Sequence, residues 1–133
     1  MSVRYLLDTN AASYLINKKS AAMDRRLAKA AVADLGISAV TEGELRYGVA
    51  SRGSAPLQAA LDSFLLTVTT LPWDSAAAQE YGRLRSELER AGRLLGSLDL
   101  MIAAHAIALG ATLVTGDRAF ARIKSLKAED WTK

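Results

Sequence analysis

Val3-Arg4-Tyr5-Leu6-Leu7-Asp8-Thr9-Asn10 is an apolar run that stops abruptly at a carboxylate. Read as a buried strand, it leaves Asp8 at its carboxyl end. In open α/β sheets, ligands sit just outside such ends. The rest of the chain is therefore read for elements that bring other acids to the same edge.

Further strands are expected at residues 35–38, at residues 68–71, where Val68 and Leu71 stand with threonines in a β-branched pattern, and at residues 112–115. Residues 126–133 read as an additional edge strand. Helices are expected between them. Residues 11–17 follow the possible caps Asp8, Thr9 and Asn10, and residues 22–33 carry Arg25, Arg26 and Lys29 on their wet side. Thr41 is placed as the opening of the next helix, with Glu44 at capping-box spacing. Ser54 and Pro56 start a helix through residues 57–66. Residues 74–91 form the longest helix, with Ala78, Tyr81, Leu84 and Leu88 on one face and Gly92 closing it. Residues 98–109 are apolar nearly all round, which predicts a buried helix ended by Gly110, and residues 119–123 add one more helical turn. This alternation predicts a single three-layer α/β/α domain spanning residues 1–133, with a central, mainly parallel sheet of four or five strands.

Composition agrees. A chain of 133 residues, 50% hydrophobic and 23% charged, is long enough to bury one core without a disulfide or structural metal. With no cysteine, thiolate metal sites and a cysteine nucleophile are excluded, which fits a reducing cytosol. The first residues lack the features of a signal peptide, and no apolar run reaches the length of a membrane span, so a cytoplasmic protein is expected. The net charge of +3 leans toward an anionic partner.

Asp8 and Asp117 each follow a predicted strand, while Glu44 and Asp99 fall in the first turns of predicted helices. In a parallel sheet both kinds of position lie on one edge of the domain. Each acid also has a plain structural explanation: Asp8 as an N-cap, Asp99 as an N-cap or first-turn acid, Glu44 as a capping-box partner and Asp117 as a turn residue. Collecting them is another matter, because two ionised carboxylates 4 Å apart repel by about 4 kcal/mol at an effective dielectric near 20. Protons or a cation must offset that cost. Oxygen donors with a single histidine point to Mg²⁺ or Mn²⁺ rather than zinc.

At these residues the chain resembles a known family. Leu6-Leu7-Asp8-Thr9-Asn10, Ser38 through Gly48 with Thr41, Glu44 and Tyr47, Gly96 through Ala106 with Asp99, Ile102 and His105, and Leu113 through Phe120 with Thr115 and Asp117 are similar to PIN-domain ribonucleases. More narrowly they resemble the VapC toxins of bacterial toxin–antitoxin pairs. The likeness runs in order to Glu129-Asp130-Trp131. It implies that Asp8, Glu44, Asp99 and Asp117 are catalytic acids around one or two Mg²⁺ or Mn²⁺ ions, supported by Thr9, Asn10 and Thr115. It further implies an endoribonuclease, with RNA, first of all tRNA, as substrate, a VapB-type antitoxin as partner and a homodimer. Many relatives carry Asn-Asn where this chain has Gly116-Asp117, so Asp117 reaches a metal directly, through water, or by orienting a neighbour. Glu42 is a rival to Glu44, but the acid of the family stands directly before the Leu-x-Tyr-Gly run, as Glu44 does.

The chemistry implied is hydrolysis of a phosphodiester to a 5′-phosphate and a 3′-hydroxyl. Lys18, Lys19, Arg46, Arg85, Arg93 and Arg118 are candidates for holding the RNA backbone around the acids. His105, sharing a face with Ile102 and Leu109, is read as a buried, hydrogen-bonded histidine, and Trp73 and Trp131 as packing residues. Tyr14, Leu15, Leu61 and Phe64, which could receive an antitoxin segment, are read as core. Two alternatives stay open: a catalytically inactive PIN-type RNA-binding module, and a phosphohydrolase of the haloacid dehalogenase type. The second needs another aspartate two residues after Asp8, where this chain has Asn10.

Overall fold

The computed structural model describes residues 3–133. The strands are β1 (Tyr5–Leu7), β2 (Leu35–Ser38), β3 (Thr69–Leu71), β4 (Thr112–Val114) and β5 (Ala128–Glu129). They form one sheet in the order β3-β2-β1-β4-β5, every pair parallel. The helices are α1 (Thr9–Asn17), α2 (Ala21–Lys29), α3 (Ala39–Arg52), α4 (Ala55–Thr67), α5 (Ser75–Arg90) and α6 (Ser97–Leu109). Two 3-10 segments, Val32–Asp34 and Arg118–Arg122, complete the order.

The inner strands β1, β2 and β4 are mainly apolar because both of their faces are covered, whereas the edge strands β3 and β5 are more exposed. Successive side chains alternate between two cores. Leu6 and Leu113 point into one, with Leu84, Leu88, Leu100, Ile102 and Phe120. Leu7 and Val114 point into the other, with Leu15, Met23, Ile37, Leu45, Leu61 and Trp131. Helices α1 to α4 thus supply one outer layer and α5 with α6 the other. α6 is buried on nearly every side, as its uniform apolarity requires.

Gly36 sits in β2 for a steric reason. A Cβ there would stand 2.8 Å from Leu71 Cδ1, 3.1 Å from Val3 Cγ1 and 3.2 Å from the Thr69 carbonyl oxygen. The last is backbone and cannot swing away. Gly36→Ala is expected to destabilise the fold by about 1–3 kcal/mol through overpacking, read as a lower urea midpoint with unchanged m. An unchanged midpoint would show that β2 and β3 separate freely at this point.

Several expected boundaries move. Helix α2 ends at Lys29 rather than residue 33, because residues 32–34 tighten into a 3-10 turn whose last N–H, on Asp34, bonds to the Ala31 carbonyl. The edge strand expected across residues 126–133 shrinks to Ala128–Glu129, since Asp130 turns the chain by accepting from Thr132. On α5 the buried face is Ala77, Leu84 and Leu88 with half-buried Tyr81, whereas Ala78 is exposed. Thr41 does not open α3. Ser38 does, its hydroxyl accepting from the Val40 N–H at 3.1 Å, so Glu44 is a second-turn residue and takes no part in a capping box.

The strand order holds the key to the site. From β1 the chain moves to β2 and β3 on one side, then crosses back through α5 and α6 to β4 on the other. The carboxyl ends of β1 and β4, neighbours in register from Tyr5↔Thr112 to Leu7↔Val114, flank the switch point where such sheets open a crevice.

Candidate active site

Asp8 follows β1 at that crevice and is 5% exposed. It is also the N-cap of α1, with Oδ1 accepting from the Ala11 N–H at 2.8 Å. The structural and the functional readings of this residue are therefore both satisfied at once. Burial pushes its carboxyl above the ordinary 3.8, hydrogen bonds from Thr115 and Ala11 oppose that rise, and the nearby charges of Asp99 and Asp117 add to it.

Asp99 is the third residue of α6, whose N-cap is Gly96, so it is a first-turn acid and not the cap itself. Its carboxyl is likewise raised, first by burial and then by Asp117 and Glu44. Asp117 follows β4 on an exposed turn, with Oδ1 accepting from Ala119 N–H at 2.9 Å, while its own N–H donates to Thr115 Oγ1 at 3.0 Å. Glu44 arrives from the second turn of α3 and accepts from Thr9 Oγ1 at 2.6 Å. Its rival Glu42 is held by Arg46 at 2.6 Å on its own helix. Asp99 and Asp117 thus act on Asp8, and Asp117 and Glu44 on Asp99, which links the four acids through Asp99.

Sequence reasoning passed over Asp130 as a member of this group. It follows β5 just as Asp8 follows β1 and Asp117 follows β4, and in a parallel sheet that position faces the same edge. Its two carboxylate oxygens lie 3.8 and 3.9 Å from where a Cβ on Gly116 would be. Hydrogen bonds from the Thr132 hydroxyl and N–H hold its carboxyl below the ordinary value. The signal was hidden because an eight-residue edge strand left no end at Asp130. A cavity of about 450 Å³ opens here, lined among others by Asn10, Tyr14, Thr115, Asp117, Asp130 and Trp131.

His105 lies behind the site. Its Nδ1 is hydrogen-bonded to Ser38 Oγ at 2.8 Å, it is 1% exposed, and burial lowers its pKa, so the ring is neutral at pH 7 and ties α6 to the start of α3. Trp73 donates from Nε1 to the Met101 carbonyl at 2.9 Å and packs edge-on to Tyr81, and Trp131 is 1% exposed; both are packing residues. Leu15 and Leu61 are core, whereas Tyr14 is 42% exposed and lines the cleft.

The basic candidates divide. Lys19 borders a groove with Thr9, Glu44 and Arg52, and Arg118 stands beside Asp117. Arg46 is occupied by Glu42, and Arg85 by Tyr81 and Glu89. Arg93 lines a separate groove with Arg122 and Lys124.

The profile described as PIN domain matches residues 5–126. The chain belongs to the PIN-domain family. Within it the chain is 40% identical to Ribonuclease VapC2 of Rickettsia felis, over 97% of this chain and 98% of that protein. It is 37% identical to the tRNA(fMet)-specific endonuclease VapC of Shigella flexneri, over 98% and 99%. A solved complex, VapBC2 from Rickettsia felis bound to a DNA fragment from their promoter, superimposes with a TM-score of 0.85 at 38% identity, covering 94% of this chain and 96% of that one. The three-layer architecture and the five-stranded parallel sheet of this PIN domain agree with that likeness.

The donor chemistry suits a hard divalent cation: Asp8, Glu44, Asp99, Asp117 and Asp130 offer oxygen only, there is no cysteine, and His105 is engaged by Ser38. Among the described residues no three such side chains already close around a common point.

Proposed function

We propose that this PIN domain is a divalent-metal-dependent endoribonuclease, a toxin of VapC type restrained by a VapB-type antitoxin. The observation that carries the reading is the convergence of Asp8, Asp99, Asp117 and Glu44, two of them with raised pKa, at the switch point of the sheet. An acidic cluster built around a buried carboxylate weakens a fold unless its charge is offset, so function accounts for it better than stability does. Full-length likeness to ribonucleases disfavours the inactive RNA-binding alternative.

When bound, Mg²⁺ or Mn²⁺ supplies charge stabilisation to the phosphoryl oxygens and acidity to a coordinated water. The chain's own residues do the rest. Asp8, held by Ala11 and Thr115, is the buried acid of the site and one of the carboxylates that would hold the metal. Asp99 enters at the positive end of α6, which favours its ionised form against the neighbouring acids. Thr9 fixes the carboxylate of Glu44, and one of the four carboxylates accepts the proton of the attacking water. tRNA is the favoured substrate, on the strength of the Shigella flexneri relative. Two copies are proposed to pair.

Incubating purified, antitoxin-free protein with total RNA, with Mn²⁺ or with EDTA, tests the reading. Cleavage is expected only with metal, with 5′-phosphate and 3′-hydroxyl ends, and a loss of at least about a hundredfold in Asp99→Asn. Cleavage that persists in EDTA, or products ending only in 2′,3′-cyclic phosphate, would overturn it.

A further inference from the structure

The ribonuclease reading leaves a strongly basic surface unused. Residues 118–127 contain Arg118, Arg122, Lys124 and Lys127 and no acid, although the whole chain carries 17 basic and 14 acidic residues. All four side chains are exposed. Among the described residues none of the four, nor Arg93, has a carboxylate within ion-pair distance, whereas Arg26, Arg46, Arg83 and Arg85 are all paired.

The placement of these cations has a direction. Arg118 adjoins Asp117 at the cleft, and the 3-10 segment Arg118–Arg122 leads away from it. At the rise of about 2 Å per residue of such a helix, with extended backbone after it, Lys124 lies at most about 15 Å from Arg118. There the strip meets a groove of about 480 Å³ between α5 and this segment, lined by Arg93, Arg122 and Lys124, whose single acid, Glu87, is paired with Arg83 at 2.8 Å. Arg122 Nη1 donates to the Leu94 carbonyl at 3.3 Å, which joins the loop bearing Arg93 to the strip.

We infer that this strip and groove are a second RNA-binding surface, which holds the sugar–phosphate backbone of the substrate a few nucleotides away from the bond being cut. The inference rests on the ribonuclease reading. An acidic cleft repels the polyanion it must act on, so binding energy has to come from outside it, and unpaired cations on the segment that leads from Asp117 to this separate groove supply that energy without entering the chemistry. A backbone-directed surface of this kind positions RNA and carries no base specificity of its own.

The test uses Arg93→Ala/Lys124→Ala, two exposed side chains whose only role here is charge. A control, Arg25→Ala/Lys29→Ala, removes the same charge from exposed positions on α2. The affinity of each protein for a fluorescein-labelled single-stranded RNA of about 20 nucleotides is measured in EDTA, between 50 and 200 mM KCl. The strip variant is expected to bind on the order of tenfold more weakly and to lower the slope of log K against log[salt] by about 1.4, two phosphates' worth, while the control keeps the wild-type slope. With Mn²⁺, its cleavage of the same RNA is expected to show a raised KM. Equal slopes in the strip variant and the control would overturn the proposal, and point to a protein partner or to bulk charge. Failure of the wild type to cleave would instead count against the ribonuclease reading, because binding in EDTA is scored independently of cleavage.

Discussion

Asp8→Asn is expected to lower RNA cleavage by at least about a hundredfold while leaving the fold as stable as before or more so. The two halves of this expectation have separate physical origins. Asparagine is as good an N-cap as aspartate, so its side-chain oxygen still accepts from Ala11 N–H and α1 keeps its start. What disappears is a buried negative charge facing Asp99 and Asp117, which the metal-free fold holds at a cost. The pH dependence follows with a definite sign. Asp8 has a folded pKa raised above 3.8, so the native state binds its proton more tightly than the unfolded chain does. Its contribution to stability is complete below that ordinary value and is lost as pH rises through the folded pKa. Metal-free wild-type protein should therefore lose stability across that window, and Asp8→Asn should lose less, keeping the share that belongs to Asp99, whose shift has the same sign. Thermal melts in EDTA from pH 4 to pH 7, beside a cleavage assay at pH 7, check both halves. A variant that cuts RNA at the wild-type rate would remove Asp8 from the chemistry; one that melts far earlier would make it mainly a structural cap.

Trp131→Ala should produce the largest loss of stability from a single side chain, about 3–5 kcal/mol. A domain of this size has roughly 5–15 kcal/mol in total, so the variant stands at the margin of folding. Trp131 is 1% exposed and contacts Tyr5 edge-on, with ring centroids 5.1 Å apart. Its Nε1 donates to Glu129 Oε1 at 3.0 Å, and Arg26 lies 4.9 Å over its ring. Those contacts join β1, α2 and β5 at the edge of the sheet. Urea unfolding monitored by far-UV circular dichroism should show a much lower midpoint, and Trp131→Phe, which keeps an aromatic ring but loses the Nε1 bond, a smaller shift. A change under about 1 kcal/mol for the alanine variant would mean that the C-terminal residues contribute little to the core.

The parts of the site legible in the sequence are those set by strand ends. Leu6-Leu7-Asp8 and Leu113-Val114 with Asp117 show an apolar run and then an acid, and the alternation of elements forces the sheet to be parallel, so their shared edge follows without coordinates. Asp99 was equally accessible, because the apolar helix after it has only one polar end. Glu44 was placed correctly at the edge for the wrong local reason. Thr41 and Glu44 have the spacing of a capping box, but the last residue of β2, Ser38, takes the cap, and only the packing of α1 against α3 shows that Glu44 bonds to Thr9. Ala77 displaced Ala78 on α5 for a similar reason: two adjacent alanines carry no polarity difference from which a face could be read. Trp131 was legible as a packing residue, but its partners were not, since Tyr5 and Arg26 lie more than a hundred residues away in the chain.

The pairing of β1 with β4 also sets a timetable. Asp8 leaves the ribosome early and Asp117 late, and the crevice between them exists only after Tyr5↔Thr112 and its neighbours have paired. A nascent fragment stopping before Thr112 carries Asp8, Glu44 and Asp99 but has no second strand to close the cleft around them. Non-local strand pairing of this kind forms slowly. On the ribonuclease reading, the cell that makes this protein is exposed to its activity only after translation has passed β4, and the same delay gives an antitoxin time to meet the chain as it folds.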